Sequence, residues 1–256
     1  DGQPYEVMDL EIAPDNKIWA STTDIAYGPG GVILSSSDGS TFSIKHTVSN
    51  AKRTEIEVAS NGDIYVLSAI NSSSNPVKIF KTTDEFTNTT ELTLPNDADT
   101  GIDANDFTRG QSFYDLMIEV DPNNPNTVFV GGIDVFKSTS GGVSSDADVN
   151  PWTQISHWYG GTFVDKTYQY IHADQHSMTF ANNDSTKKLF GNDGGVYFSK
   201  TESDGTETAS SRNKNLNTSQ IYTIGVAPSE MFKDLDKTVN ALSLIHISEP
   251  TRRVLI

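Results

Sequence analysis

The stretch "HADQHSMTFANNDSTKKLFGNDGGVYFS", residues 172–199, decides the fold. Short apolar runs alternate with polar residues at a period of two, which is the period of a β-strand and not of a helix. The tetrapeptide "NDGG" marks a tight turn between two antiparallel strands. The stretch therefore predicts short strands joined by polar and glycine-rich turns.

The same strand–turn–strand pattern recurs along the chain. It appears in "VMDLEIAPDNKIWAST", in "TEIEVASNGDIYVLSA" and in "YDLMIEVDPNNPNTVFVGG", and a last copy begins at "IYTIGVAPSE". The aligned positions before each first turn are 12, 58, 120, 180 and 226, which lie 46 to 62 residues apart. A repeat of roughly 40–60 residues with about four short strands is typical of β-propeller blades.

We therefore predict an all-β fold, a β-propeller of four-stranded antiparallel blades, with four blades and the start of a fifth in residues 1–241. A β-sandwich is the alternative, although it does not require a repeated pattern. Because one blade cannot bury both of its faces alone, we expect the remaining blades in a longer parent chain. Residues 242–256 resemble the translated sequencing-adaptor tails of metagenomic reading frames, and we expect them to be non-native.

The composition restricts partners and location. There are 18 Lys and Arg residues against 34 Asp and Glu, a formal net charge of −16. Such a surface repels nucleic acids and anionic membranes, which bind through basic patches. No run approaches the roughly 20 apolar residues of a membrane helix, so we expect no membrane insertion. The absence of cysteine excludes disulfides and is compatible with the secreted or cell-surface location that we predict.

The segment "SSSDGSTF" in the first unit has looser copies, "KTTDEF", "KSTSGG" and "FSKTESDGT", in the later units. These segments resemble the Asp-box, S-x-D-x-G-x-T-W/F, of the secreted bacterial BNR-repeat propellers, a group that includes sortilin-, sialidase- and xyloglucanase-type domains. The resemblance implies the fold and leaves the function open. In an Asp-box the Asp binds turn amides and the aromatic residue packs between sheets. The resemblance thus implies scaffold roles for Asp38, Gly39, Thr41, Phe42, Asp193 and Gly194.

The pentapeptide "HADQH" departs from the repeat. On an extended strand His172, Asp174 and His176 would point to one face, where they could bind a divalent metal ion. Asp174 could instead act as an acid or base, with Asp115 as a second carboxylate. The three residues would span about 13 Å, too far for one ion without a bulge in the strand. The alternative is a buried hydrogen-bond cluster that fixes the blade.

An aromatic run precedes "HADQH". Exposed aromatic rings beside carboxylates form carbohydrate platforms, because the C–H faces of sugars stack on π systems. The alternative is that these rings only pack the inserted segment. The predicted ligand-binding residues are His172, His176, Trp158, Tyr159, Tyr168 and Tyr170.

The segment "NDADTGIDANDF" is a third candidate site. Its Asp97, Asp99, Asp103 and Asp106 supply oxygen ligands of the kind that Ca²⁺ prefers. The segment lacks the central Gly and the final Glu of an EF-hand loop, so calcium is a possible cofactor and a solvated acidic loop is the alternative.

Two functions are compatible with these patterns. The first is a non-catalytic glycan- or protein-binding module of a larger secreted or cell-surface bacterial protein, with exposed aromatics near Trp158 and no perturbed carboxylate pair. The alternative is part of a xyloglucanase-like glycoside hydrolase, with Asp174 and Asp115 about 5–10 Å apart in a groove. A sialidase is disfavoured, since its three-arginine clamp would need every arginine that precedes residue 242.

Overall fold

The structure is a computed structural model that describes residues 4–26, 28–159, 169–215, 223–226 and 241–244. These residues belong to two compact units, Asp1–Lys214 and Asn215–Ile256. The described residues form β-strands and one short 3-10 helix, Ala181–Asn183. Among them no helix is long and apolar enough to cross a membrane.

The first unit holds four antiparallel sheets, each made of four strands that are consecutive in the sequence, and we call each sheet a blade. Blade 1 contains β1 (Glu6–Ile12), β2 (Ile18–Thr23), β3 (Val32–Ser36) and β4 (Ser43–Thr47). Blade 2 contains β5 (Ala51–Val58), β6 (Ile64–Ile70), β7 (Val77–Thr82) and β8 (Thr90–Glu91). Blade 3 contains β9 (Met117–Val120), β10 (Val128–Gly131), β11 (Val135–Ser138) and β12 (Thr153–Gln154).

Between blades 3 and 4 the chain forms a short parallel pair, β13 (Ser156–His157) and β14 (Gln169–Tyr170). Blade 4 contains β15 (Gln175–Phe180), β16 (Lys187–Asn192), β17 (Gly195–Thr201) and β18 (Glu207–Ser211). Within every blade each strand pairs with the next, so all connections are hairpins. The predicted fold of four-stranded antiparallel blades is confirmed.

The hydrophobic cores lie between successive blades. In β6, Ile64 and Val66 pack with Trp19 of blade 1, whereas Tyr65 and Leu67 pack in the cluster shared with blade 3. Successive residues of a strand point to opposite faces, so a blade with a neighbour on each side buries both sets. This explains why the middle strands β6 and β10 are almost continuously apolar.

The other face of blade 1 carries exposed apolar side chains. Leu10, Ala20, Leu34 and Ile44 are cross-strand neighbours in register. The outer two, Leu10 and Ile44, are 59% and 50% exposed. This face has the composition of a surface that packs against another sheet.

Asp38 holds the turn between the third and fourth strands of blade 1. Asp38 Oδ1 accepts hydrogen bonds from the amides of Ser40 at 2.8 Å and Thr41 at 2.7 Å. These bonds hold the pKa of Asp38 at about 2. Gly39 has the positive φ of +69° that this turn requires. Phe42 differs from expectation, because it is 40% exposed and does not close a core.

The second unit contains one described hairpin. β19 (Thr223–Val226) lies where the sequence predicts the start of a fifth blade, and it pairs antiparallel with β20 (Ala241–Leu244). The strand β20 includes residues 242–244 of the expected non-native tail, and residues 245–256 lie outside the described residues.

Candidate functional site

The candidate residues gather at one end of the blades. Because the strands alternate in direction, the turns between second and third strands share this end with the connections between blades. We call it the loop end. It carries residues 92–116, 132–134, 155–159, 169–174 and 193–194.

The "HADQH" segment is not an extended strand. β15 begins at Gln175, and Asp174 before it adopts a positive φ of +63°. A register shift between Gln175 and Ser177 adds a bulge. The prediction that His172, Asp174 and His176 share one strand face is therefore wrong. The charges of His176 and His172 oppose the rise in the pKa of Asp174, so both rings lie within electrostatic range of its carboxyl.

Asp193 lies in the turn between β16 and β17, not in an Asp-box turn. Tyr114 donates its hydroxyl to the two carboxylate oxygens of Asp193 at 2.9 and 3.0 Å, and His176 Nε2 donates to Oδ1 at 2.7 Å. The scaffold role implied for Asp193 is thus corrected. In blade 4 the turn between the third and fourth strands uses Asp204, whose Oδ1 accepts from the Thr206 amide at 3.0 Å.

Asp174 interacts electrostatically with both Asp193 and Asp115, and we call these three residues the carboxylate cluster. Asp115 is fully buried, and neither oxygen has a hydrogen-bond partner among the described residues. Burial and the adjacent charge of Asp174 raise the pKa of Asp115 to about 8. Partial burial and the charge of Asp193 raise the pKa of Asp174. Partial burial opposes ionisation of Asp193 as well, but the bonds from His176 and Tyr114 hold its pKa below the ordinary value.

The cluster therefore holds one ionised carboxylate, Asp193, and two carboxyls that stay protonated to higher pH than an ordinary aspartate. Such an arrangement can donate or accept a proton near neutral pH. Besides burial, the charge of Asp174 acts on Asp115 and raises its pKa, so the cluster contains a perturbed carboxylate pair, which the binding-only function does not predict.

His172 is fixed by packing. A Cβ at position 194 would lie 2.3 Å from Cγ of His172, so Gly194 permits close approach of the imidazole. Gln175, which is buried, donates its side-chain amide to the carbonyl of His172. Gly194 thus serves this contact and not an Asp-box turn.

Trp158 and Tyr159 form an exposed aromatic pair at the loop end. They are 37% and 44% exposed, and their rings meet edge to face at a centroid distance of 4.6 Å. Trp158 Nε1 donates to Asp99 Oδ2 at 3.4 Å, and the guanidinium of Arg109 lies 5.9 Å from the indole centroid. Two polar groups therefore hold the indole in place while its ring stays accessible.

Arg109 organises the acidic loop. Its guanidinium binds Asp97 through Nε at 3.0 Å and Nη2 at 2.8 Å, and Asp99 through Nη2 at 2.8 Å. His157 Nε2 donates to Asp99 Oδ1 at 3.1 Å. Partial burial raises the pKa of Asp99, but the bonds from His157 and Arg109 outweigh it and keep the pKa low.

These contacts differ from the expected calcium loop. Asp97 and Asp99 face a guanidinium, and Asp106 accepts hydrogen bonds from Thr108 and Gly110 within its own turn. Asp103 is exposed. Among the described residues, no group of three or more His, Asp or Glu side chains is arranged to hold a metal ion.

Two predicted aromatic residues lie elsewhere. Tyr170 packs edge to face on Tyr197 at 5.9 Å and is not part of the aromatic pair. Tyr168 lies outside the described residues.

Sequence reasoning missed Tyr114, Arg109 and His157 as members of these groups. Tyr114 is separated from Asp193 by 79 residues, so no local pattern joins them. Arg109 carried one available signal, since it follows four aspartates in an otherwise acidic loop. Asp134 belongs to the same group as Arg109, since its carboxylate lies 3.7 Å from the guanidinium. Burial raises the pKa of Asp134 to about 7.

The blades and their loop end define a β-propeller protein. The chain matches no protein-family model and no curated protein sequence. Among solved structures it is similar to the GH74 enzyme of Niastella koreensis, with 17% identity, a TM-score of 0.51, and coverage of 82% of this chain and 30% of that one.

Two further structures are similar at lower scores. The GH74 xyloglucanase of Xanthomonas campestris has 13% identity and a TM-score of 0.47, over 75% of this chain and 27% of that chain. PorZ of Porphyromonas gingivalis, a bacterial surface component of the type-IX secretion system, has 17% identity and a TM-score of 0.48, over 75% and 25%. The chain thus spans less than a third of these structures, and at these identities the similarity concerns the fold.

Proposed function

We propose that this chain is a glycan-binding propeller module of a larger secreted or cell-surface bacterial protein. The observation that carries the proposal is the exposed aromatic pair, Trp158 and Tyr159, held beside Asp99 and Arg109. An indole fixed on one side and open on the other offers a face for the C–H groups of a sugar ring. Asp99 supplies oxygen atoms nearby that can accept hydrogen bonds from sugar hydroxyls.

The test is a glycan array probed with the full chain and with Trp158→Ala. We expect the variant to lose at least tenfold in affinity, about 1.4 kcal/mol, because the stacking face is removed. Phe42→Ala is the matched control, since Phe42 is similarly exposed but lies in a turn at the opposite end of its blade. Equal binding by both variants, or capture of a protein and no glycan, contradicts the proposal.

A glycoside hydrolase is the second candidate, and the carboxylate cluster favours it. Asp174 is partly exposed, has a raised pKa and lies next to the ionised Asp193, so it can act as a proton donor. We expect any release of reducing ends from a panel of polysaccharides to fall at least a hundredfold in Asp174→Asn. Turnover unchanged in this variant contradicts a catalytic role, and binding without turnover by the parent chain contradicts the hydrolase.

We also propose that the apolar face of blade 1 packs against a further blade of the parent chain. The support is the register of Leu10, Ala20, Leu34 and Ile44 across four strands. The equivalent side chains between the other blades are buried in shared cores. A longer chain that includes the covering blade should unfold at a higher temperature than this one, and an unchanged unfolding temperature contradicts the proposal.

A further inference from the structure

A second concave site lies at the end of the blades opposite to the loop end. It is a cavity of about 270 Å³ formed where the first strands of the four blades finish. Seven of its thirteen lining residues are apolar, and three, Glu57, Glu119 and Asp121, are acidic. The lining side chains used below are Ile12, Val58, Val120, Phe180, Glu57 and Glu119.

The glutamates follow the repeat. Glu11, Glu57 and Glu119 each precede the aligned repeat position, so they occupy the same place in β1, β5 and β9. These three strands are neighbours in the structure. Thr179 holds this place in β15. Burial and the charge of Asp9 raise the pKa of Glu11 to about 8. Burial and the charges of Glu11 and Asp9 raise the pKa of Glu119 to about 8, which agrees with the convergence of these carboxyls on one region.

No basic side chain balances this group. No ion pair in the described part of the chain includes Glu11, Glu57 or Glu119. Arg53 of β5 is bound instead to Glu55 at 2.6 Å and to the carbonyl of Leu116 at 3.0 Å. The cavity therefore combines uncompensated carboxyl groups with an apolar wall.

We propose that this cavity binds a primary alkylammonium group, either a free amine or the side chain of a lysine. The ammonium donates hydrogen bonds to Glu57 and Glu119, and the alkyl stem lies along Ile12, Val58 and Val120. A metal ion suits the site less well, since the described carboxylates form no group arranged to coordinate one.

The experiment is a calorimetric titration of the full chain with n-butylammonium chloride and, separately, with N-acetyl-lysine methylamide. We expect both to bind, and Glu57→Gln and Glu119→Gln to weaken binding at least tenfold. Tighter binding of n-butylammonium indicates that the ligand is a free amine, and tighter binding of N-acetyl-lysine methylamide indicates a lysine side chain. Glu91→Gln is the matched control, because it removes the same charge from an exposed strand residue that pairs with Lys78.

Three results would overturn the proposal: no binding of either amine, an equal loss in Glu91→Gln, or displacement by equimolar Mg²⁺. Circular dichroism of each variant establishes that it is folded, and Gln has nearly the same shape as Glu. Trp158→Ala should leave the titration unchanged, so this proposal and the glycan-binding proposal fail independently.

Discussion

Lys188 carries an ionisable side chain in a buried position, where the charged form is poorly solvated. It is fully buried in β16, where its Nζ donates to Thr201 Oγ1 at 2.7 Å and lies 3.0 Å from Glu207. Burial lowers the pKa of Lys188, and the charge of Glu207 opposes this effect. A buried ion pair contributes little net stability, but the loss of one partner leaves the other desolvated.

We predict that Lys188→Ala lowers the free energy of unfolding by about 3 kcal/mol. Glu207 would keep Lys137, at 3.8 Å, and the hydrogen bonds from the Ser199 and Thr201 hydroxyls, but it would lose its close cation. The matched control is Lys200→Ala, since Lys200 is exposed and pairs with Glu202 at 2.7 Å, and such a pair contributes about 0–1 kcal/mol. Denaturant unfolding measures both changes, and equal losses would show that Lys188 has no special role.

At the scale of elements, the turn between β16 and β17 positions the carboxylate cluster. It presents Asp193 to Tyr114 and His176, and Gly194 lets His172 pack against its backbone. One turn thus fixes residues from blade 4 and from the connection that precedes blade 3.

We predict that Gly194→Ala destabilises the fold by about 1–3 kcal/mol, because its methyl group overlaps the imidazole of His172. It should also shift the His172 ring resonances in an NMR spectrum. Gly62→Ala is the control: Gly62 has a φ of +88° and open space around it, so its cost of about 1–2 kcal/mol is backbone strain alone. An unmoved His172 resonance in Gly194→Ala contradicts the packing argument.

At the scale of the whole molecule, buried acids make stability depend on pH. The pKa values of Glu11, Glu119 and Asp115 rise to about 8, from ordinary values of 4.5 for the glutamates and 3.8 for Asp115. Between these limits the folded chain binds more protons than the unfolded chain. The stabilisation is therefore present at low pH within this window and is lost as pH rises through about 8.

We predict that the free energy of unfolding falls between pH 5 and pH 8. In Glu119→Gln the free energy of unfolding should fall less steeply with pH. The charged groups that act on Glu119 are Glu11 and Asp9, so the variant also relieves their repulsion. Glu91→Gln should leave the slope unchanged. Denaturant titrations at several pH values measure it, and stability that increases over this range would refute the prediction.

The sequence by itself determined the blades. An apolar period of two, turn residues at regular intervals and a repeat of 46 to 62 residues are local properties, and each blade is built from consecutive strands. The Asp-box resemblance implied the turn role of Asp38, and a local pattern can do so because its bonds reach only two and three residues along the chain.

Only the tertiary structure decided the sites, because their partners lie far apart in the sequence. It joined Asp193 to Tyr114 across 79 residues, and Trp158 to Asp99 across 59 residues. It also bent "HADQH" at Asp174, since the contacts of the turn at Gly194 outweigh the extended pattern of the pentapeptide. Long-range contacts of this kind arise when blades stack, and no spacing within one blade specifies them.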